Sequence, residues 1–375
     1  MSRRNLFLAG CILIGLLIDV LAGQHLWSRA KRGENDFLQL FAGARLVRTP
    51  ELYVMDASLR VHREVTESGT YYPAVCYTRL PWYALMLSPL GKLPYRTAYY
   101  IWEAFNATVF VVFLWLWSRE YPPVWALAAL SIPLLVNLLN GQDSGLVTAL
   151  CGFALLLERR GRDLAAGVLL SLASIKFHLL VLVPIGLVIH RRWGILKGGL
   201  AGGAALFVLS AIADGFDWPG RYLAVLRSPA VHPGAETMTT FRNLAWFVSG
   251  AENPSLELVL SVATAALFAY LAWRIRSFGV MFGLALAGGV LVCHHAYSQD
   301  LVVLVLMAAL FATAGASTAL TNWTIALAMP PAAFLLYFGF PLSAALPVLL
   351  LSILLVALAD AHRQTGARSG NQAAR

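Results

Sequence analysis

The chain of 375 residues is 59% hydrophobic, has only 13% charged residues and has a mean hydropathy of +0.69. A soluble domain of this size needs a mixed charged surface, which so few charged residues cannot supply, and we exclude that class. The net charge of +9 does not indicate nucleic acid binding, because the basic residues form no stripe with interleaved aromatic residues and mostly flank apolar segments. These properties predict an integral membrane protein.

Apolar segments long enough to cross the hydrocarbon core recur along the chain and predict about twelve crossings. The first, 6–26, is predicted to be an uncleaved signal anchor, since its apolar run is too long for a cleaved leader. The others are predicted at 97–117, 123–140, 145–158, 163–176, 178–190, 195–213, 255–273, 277–294, 299–316, 321–339 and 342–360. We therefore predict an all-α polytopic fold with a single membrane domain, 1–360, and a disordered cytoplasmic tail, 361–375.

An even number of crossings places both termini on one face, together with short basic connections such as 158–163 and 190–197. The positive-inside rule makes that face cytoplasmic. Lys and Arg divide equally between the two faces, but the outside ones, except Lys176, belong to two long loops, about 27–96 and 214–254, for which the rule is weak. The sequence thus predicts a multi-pass protein of the cell membrane with both termini in the cytoplasm.

Residues 163–190 fit either one long tilted helix or a hairpin of two short helices. A single crossing would export the basic residues of 191–197, whereas a hairpin keeps them inside. The arms of such a hairpin are about 20 Å long and do not reach the outer surface. Lys176 and His178 would then lie at its tip, where they must face protein or a water-filled cavity.

The first long outer loop is rich in Tyr, Trp and Pro and contains an apolar stretch, Leu80 to Leu90, that is too short to span the membrane. Such a stretch predicts interfacial or re-entrant helices. We expect His62, in the same loop, to be solvated.

Residues that could perform chemistry collect at or just beneath the outer face. Ionisable residues at membrane depth are costly, so their placement indicates function. The candidates are Asp36, Gln142, Asp143, Lys176, His178, Arg242, His294, His295, Tyr297 and Asp300. A carboxylate can accept a proton from a sugar hydroxyl and the cations can neutralise phosphate, so the set suits an amphiphilic phospho-sugar lipid. Each residue could instead cap a helix end at the membrane interface.

For some candidates a structural role is as well supported as a functional one. Arg242 could bind phosphate or precede a helix that begins at Asn243. Tyr297 could be an interfacial aromatic residue. A divalent metal could bind near Asp36 and Asp143, but two isolated carboxylates give no support for a site, so we predict neither a metal nor another cofactor.

Several short groups of residues, in this order and spacing, resemble a known family. They are Asn35-Asp36-Phe37 with Glu51-Leu52-Tyr53, Tyr71-Tyr72-Pro73 with Leu87-Ser88-Pro89, Asn140-Gly141-Gln142, Ala165-Ala166-Gly167 with Ile175-Lys176-Phe177, and the polar cluster from His294 to Asp300. The pattern is similar to glycosyltransferase family 87, the polyprenyl-phosphate-mannose-dependent mannosyltransferases within the GT-C superfamily. The resemblance extends over most of the chain, from about residue 30 to residue 300.

The resemblance implies a GT-C-like, inverting glycosyltransferase that moves a hexose, expected to be mannose, from a polyprenyl-phosphate donor to a lipid or glycan acceptor on the extracytoplasmic face. It implies that Asp36 is the base that activates the acceptor, and that Lys176 and His294 or His295 contact the donor phosphate, with Arg242 as a further candidate. The remaining candidates are then expected to bind substrate: Gln142, Asp143, His178, Tyr297 and Asp300.

A secondary transporter or lipid flippase with a charged outer cavity is the alternative function. Transporters of this kind commonly have two repeated halves with interrupted helices in corresponding positions, and this sequence shows neither. The expected partners under the transferase interpretation are the donor, the acceptor and membrane lipids, without nucleic acid.

Overall fold

The computed structural model describes residues 3–66, 76–228, 231, 234–337 and 339–373, which contain α-helices and short 3-10 helices but no strand. The predicted all-α class is confirmed. The α-helices are α1 (Arg3–Lys31), α2 (Phe37–Leu46), α3 (Met55–Val65), α4 (Pro81–Leu87), α5 (Tyr95–Trp117), α6 (Val124–Ala129), α7 (Ile132–Leu139), α8 (Ser144–Arg159), α9 (Asp163–Leu172), α10 (Val183–Ile189), α11 (Trp193–Asp214), α12 (Trp218–Leu226), α13 (Phe241–Ser249), α14 (Pro254–Arg274), α15 (Phe278–Val292), α16 (Val303–Thr313), α17 (Thr318–Ala328), α18 (Pro330–Tyr337) and α19 (Ala345–Ala373). The 3-10 helices are Leu90–Lys92, Ala173–Leu180, Ala235–Thr237, Ser298–Val302 and Leu342–Ala344.

Within the described ranges, 5 helices are long and apolar enough to cross a membrane, or 6 crossings arise if the bent pair α17 and α18 counts as one. The five are Tyr95–Trp117, Asp163–Leu180, Trp193–Asp214, Pro254–Arg274 and Leu342–Arg363. These helices support a multi-pass membrane protein. The total of about twelve crossings stays a prediction.

The centre of the protein is formed by α15 and α16. Both are apolar around their whole circumference and are buried along almost their whole length, as expected for helices that neighbours surround on all sides. Outer helices instead leave large apolar side chains exposed, including Leu200 and Ile212 of α11 and Leu258 of α14. An apolar surface of this kind suits lipid as the solvent.

Residues 163–190 form the predicted hairpin. Arg192, after α10, lies with Nη1 at 3.8 Å from Oδ2 of Asp163, the first residue of α9, so the chain returns to the end from which it started. One continuous helix over these residues would separate its ends by about 40 Å. The turn is the 3-10 helix Ala173–Leu180, in which Lys176 leaves helical geometry with φ −123° and ψ 61°. The prediction that Lys176 lies at the tip of a hairpin is confirmed.

Helices α9 and α11 run parallel in very close contact, which is possible because glycines lie between them. A Cβ added to Gly167 would lie 2.0 Å from the carbonyl oxygen of Ile195, and one added to Gly198 would lie 2.1 Å from that of Leu164. Small residues at a helix contact let two backbones approach within the membrane. This contact holds α9, the first arm of the hairpin, against α11, a helix long enough to cross the membrane.

The described parts of the two segments predicted as long outer loops contain several helices. Helix α4 covers most of the apolar stretch predicted to form an interfacial helix, and the Trp82 amide donates a hydrogen bond to Oγ of Ser210 in α11 at 3.2 Å. The expectation that His62 is solvated is wrong. His62 lies on the face of α3 that packs against α2, and burial lowers its pKa to about 4.

The last helix, α19, continues past the predicted crossing at 342–360 to Ala373. The single membrane domain, 1–360, and the disordered cytoplasmic tail, 361–375, stay predictions. Residues 361–373 contain no proline, and extension of an existing helix needs no new nucleation.

Candidate active site

The turn between α7 and α8 is fixed against the start of α2. Gly141 has a φ of +68°, and a Cβ there would lie 2.5 Å from Cβ of Phe37. The Phe37 amide donates to the carbonyl oxygen of Asn140 at 3.0 Å, and Nε1 of Trp102 donates to that of Gly141 at 2.9 Å. Because Asp36 directly precedes Phe37, these contacts bring the Asp36 backbone next to the turn.

Asp36 is half-buried at the N-terminus of α2, and its Oδ2 accepts a hydrogen bond from Nε2 of Gln142 at 2.9 Å. No cation lies within ion-pair distance of it among the residues that the structure describes. Burial raises the pKa of Asp36 above its ordinary value, whereas the Gln142 hydrogen bond and the charges of Lys176, Arg29 and Arg79 oppose that increase. A carboxylate with a raised pKa and partial access is suited to accept a proton.

Lys176 lies at the centre of a buried group of charges. It is 3% exposed, and its Nζ donates to Oδ1 of Asp300 and to Oγ of Ser144, both at 2.7 Å. Its third neighbour is Oδ1 of Asp143 at 3.4 Å. The three ammonium hydrogens therefore all have an oxygen atom within reach.

Arg79 pairs with Asp143 in a two-pronged contact. Its Nε donates to Oδ2 at 2.9 Å and its Nη2 to Oδ1 at 3.2 Å, a geometry that gives both strength and a fixed orientation. Burial alone would raise the pKa of Asp143, but Arg79 and Lys176 together lower it below its usual range. Asp143 therefore stays ionised and is a poor proton acceptor.

Asp300 completes this buried network, which we define as Arg79, Asp143, Ser144, Lys176 and Asp300. Its Oδ1 also accepts from Oγ of Ser144 at 2.6 Å. Its Oδ2 accepts from the Tyr297 amide at 2.8 Å, so the carboxylate shapes the segment that follows α15. Two carboxylates balance two cations, and the network as a whole is neutral.

Two members of the buried network, Arg79 and Ser144, are absent from the sequence prediction. Arg79 had a usable signal, since it is a single cation directly before the apolar helix α4, and an ionisable residue in such a position indicates function. Ser144 had no such signal, because a serine at the first position of a helix is common.

Tyr297 interacts electrostatically with both Asp36 and Arg242. Burial raises the pKa of its hydroxyl, Asp36 adds to that increase and Arg242 opposes it, which places both charges near the ring. Its Oη is buried without a hydrogen-bond partner in the described part of the chain. The ring meets that of His295 edge-to-face with centroids 4.7 Å apart. His178, whose Nε2 is likewise buried and unpartnered, lies next to the buried network.

Two of the predicted phosphate ligands pair with carboxylates outside the buried network. His294 is exposed, with Nδ1 at 2.8 Å from Oε1 of Glu257 in α14. Arg242 is buried and pairs with Glu252. The helix there begins at Phe241 rather than at Asn243, because the Thr240 hydroxyl accepts from the Arg242 amide at 3.2 Å and caps the helix.

No group of three or more His, Cys, Asp or Glu that could hold a metal ion occurs in the described ranges. Asp143, one of the two carboxylates considered for a metal, has its oxygens occupied by Arg79 and Lys176. The motif Tyr71-Tyr72-Pro73 lies outside the described residues.

Comparison with protein-family models gives a match. The family model described as glycosyltransferase family 87 matches residues 77–312. The matched range contains the whole buried network and all predicted site residues except Asp36, which precedes it. No curated protein and no solved structure matches the chain.

Proposed function

The chain belongs to glycosyltransferase family 87 and is a membrane glycosyltransferase, and we propose that it transfers a hexose, with mannose as the first candidate, from a polyprenyl-phosphate donor to a lipid or glycan acceptor. The transfer takes place on the extracytoplasmic face of the cell membrane, with both termini of the chain in the cytoplasm. The anomeric configuration of the sugar inverts.

The observation that carries this proposal is the environment of Asp36. Of the three carboxylates around the Gln142 turn, Asp143 and Asp300 are engaged by Lys176, whereas Asp36 is half-buried with a raised pKa. A general base needs access to its substrate and a pKa that permits proton uptake. Asp36 meets both conditions, and Asp143 meets neither.

In the proposed reaction, Asp36 accepts the proton of an acceptor hydroxyl as that oxygen attacks the anomeric carbon of the donor. The bond between this carbon and the phosphate oxygen breaks, and the bonding electron pair leaves with the polyprenyl phosphate. Attack from the side opposite the phosphate inverts the anomeric centre. Gln142 holds Oδ2 of Asp36 and leaves Oδ1 for the acceptor, so it orients the base.

The departing phosphate is proposed to lie near Tyr297. Arg242 supplies positive charge that acts on this residue, His295 packs its ring edge-to-face against that of Tyr297, and the unpartnered Tyr297 hydroxyl supplies a hydrogen-bond donor. Lys176 is proposed to stabilise the phosphate by its positive charge without direct contact. A direct contact would require its ammonium group to release Ser144, Asp300 or Asp143. His294 stands at the outer rim of this region.

The proposal is tested with the purified protein in lipid nanodiscs that contain membrane lipids as acceptors. Polyprenyl-phosphate-mannose, polyprenyl-phosphate-glucose and GDP-mannose are supplied separately, and the labelled product is isolated. We expect transfer from a polyprenyl-phosphate donor and a product of opposite anomeric configuration. Transfer from the nucleotide sugar alone would overturn the proposed donor, and retained configuration would overturn the single-displacement mechanism.

A further inference from the structure

A cleft of about 620 Å³ lies at the opposite end of the helices from the candidate active site. Ser144, in the buried network, is the first residue of α8, and Arg159 at the far end of this 16-residue helix lines the cleft. The length of α8 separates the two places by about 22 Å. Helix α16 makes the same connection, since it follows Asp300 and ends at Thr313 in the cleft. The cleft is therefore distinct from the proposed catalytic region.

Three arginines from separate elements converge on this cleft. Arg159 is the last residue of α8, Arg192 precedes α11, and Arg276 precedes α15. The positive-inside rule accounts for basic residues at this face but not for their convergence on one concave site. Thr313 adds a hydroxyl to the lining.

Aromatic rings hold two of the guanidinium groups in place. Arg159 lies over the ring of Trp117 at 4.6 Å and Arg192 over that of Phe278 at 4.5 Å. A planar guanidinium stacked on a ring keeps its edge available for hydrogen bonds to phosphate. Such preorganisation lowers the entropy that a ligand would otherwise lose on binding.

The charges of the cleft are only partly balanced. Arg192 pairs with Glu158 and lies 3.8 Å from Oδ2 of Asp163, and Arg159 pairs with Glu120. Arg276 is exposed and has no ion-pair or hydrogen-bond partner among the described residues, so its guanidinium is the one in the cleft that no carboxylate contacts directly in that part of the chain. It stands beside the N-terminus of α15, whose first turn lines the cleft through Gly279 and adds a partial positive charge.

We propose that this cleft binds the phosphate of an anionic lipid headgroup from the surrounding leaflet. The cleft lies at the ends of membrane-spanning helices, and these ends are at the depth of the lipid headgroups. Trp273, 69% exposed on α14, is placed as an interfacial anchor at the same level. Arg276 also lines a neighbouring cavity of about 560 Å³ that reaches Trp273, so the site continues toward the lipid side. Basic pockets between membrane helices bind phospholipid headgroups in this way.

The test measures retained lipid rather than sugar transfer, so its outcome is independent of the proposed function. The full chain is purified from nanodiscs of phosphatidylcholine with or without phosphatidylglycerol, and bound phosphatidylglycerol is quantified by native mass spectrometry. We expect specific retention by the wild type. Arg276→Gln should weaken it by about fivefold, the effect of one cation near anionic lipid, and Arg276→Lys should largely preserve it.

Arg162→Gln is the matched control, since Arg162 is exposed after α8 and lies outside the cleft lining. It should retain phosphatidylglycerol as the wild type does. Thermal unfolding should be unchanged in Arg276→Gln, because the side chain is exposed and unpaired, so lost retention would report binding rather than misfolding. Equal retention by wild type, Arg276→Gln and Arg276→Glu would overturn the proposal. Displacement of the lipid by inorganic phosphate at equal concentration would overturn its lipid specificity.

Discussion

The two ends of the helices hold their charges in opposite ways. At the end that holds the candidate active site, the side chains of Lys176 and Asp143 are 4% and 0% exposed and neutralise each other within one network. At the other end, Arg159 and Arg192 are 26% and 30% exposed and stand over aromatic rings. Partly exposed arginines at the helix ends need only the positive-inside distribution of charge to explain them. Buried charges such as those of Lys176 and Asp143 are costly unless each has a partner of opposite charge in direct contact.

This difference shows where function constrains the chain. Well-packed apolar residues often stabilise a fold as much as a buried ion pair does, so a buried network is weak support for a purely structural role. Asp36 is half-buried, has no cation within ion-pair distance in the described ranges, and accepts a hydrogen bond from Gln142, which directly precedes Asp143 of the network. We infer that the network fixes the Gln142 turn on which Asp36 depends.

The largest expected effect on stability comes from Lys176→Met, which leaves Asp143 and Asp300 without their shared ammonium. Loss of one partner from a buried charge pair costs about 3–5 kcal/mol, and the free energy of unfolding in bicelles should fall by that amount. Lys92→Met, which alters an exposed lysine after α4, is the control and should be neutral. Equal stability of Lys176→Met and wild type would show that the network is not a coupled unit.

A smaller effect is expected from Gly167→Ala at the contact of α9 with α11. The new methyl group would meet backbone, which cannot move aside as a flexible side chain can, and overpacking typically costs about 1–3 kcal/mol. The same unfolding measurement checks it. Gly203→Ala, on the same helix as Gly198 with nothing within 4 Å of the added Cβ, is the matched control. If both variants unfold alike, the close contact does not hold the hairpin.

The smallest effect, and the one most specific to the base, is expected from Gln142→Leu. The hydrogen bond from Gln142 favours the ionised form of Asp36, so its removal raises the pKa of Asp36 further. A base acts when ionised, and activity is lost as the pH falls through its pKa. The acid limb of the pH profile of transfer should therefore move to higher pH. If the acid limb of the Gln142→Leu profile is the same as that of the wild type, Gln142 does not influence the pKa of the catalytic base.

Much of the fold could be predicted from the sequence because membrane topology depends on the order of charges and apolar segments along the chain. The basic residues of 191–197 sufficed to predict the hairpin at Lys176. The pairing of Arg79 with Asp143 could not be predicted in the same way, since it depends on how the segment before α4 meets the turn before α8 in three dimensions. Propensity and periodicity contain no such information.

The predictions that failed concern local burial and helix ends. His62 was expected in solvent, but its position on the buried face of the amphipathic helix α3 decides otherwise. The helix at Arg242 begins two residues early because Thr240, an extended residue with a hydroxyl, caps it. The donor-phosphate contacts expected of Lys176 and of His294 or His295 stay predictions, although the structure pairs His294 with Glu257.

The measurement that tests the central claim most directly is sugar transfer by Asp36→Asn at matched expression. Asn has the size of Asp, and its side-chain oxygen can still accept the hydrogen bond from Gln142, but it cannot take up the proton of the acceptor hydroxyl. The rate should therefore fall by about two orders of magnitude or more. Asp56→Asn, at an exposed aspartate of α3, is the matched control and should transfer sugar as the wild type does. Wild-type activity in Asp36→Asn would contradict the account and move the search for the base to Asp143 or Asp300.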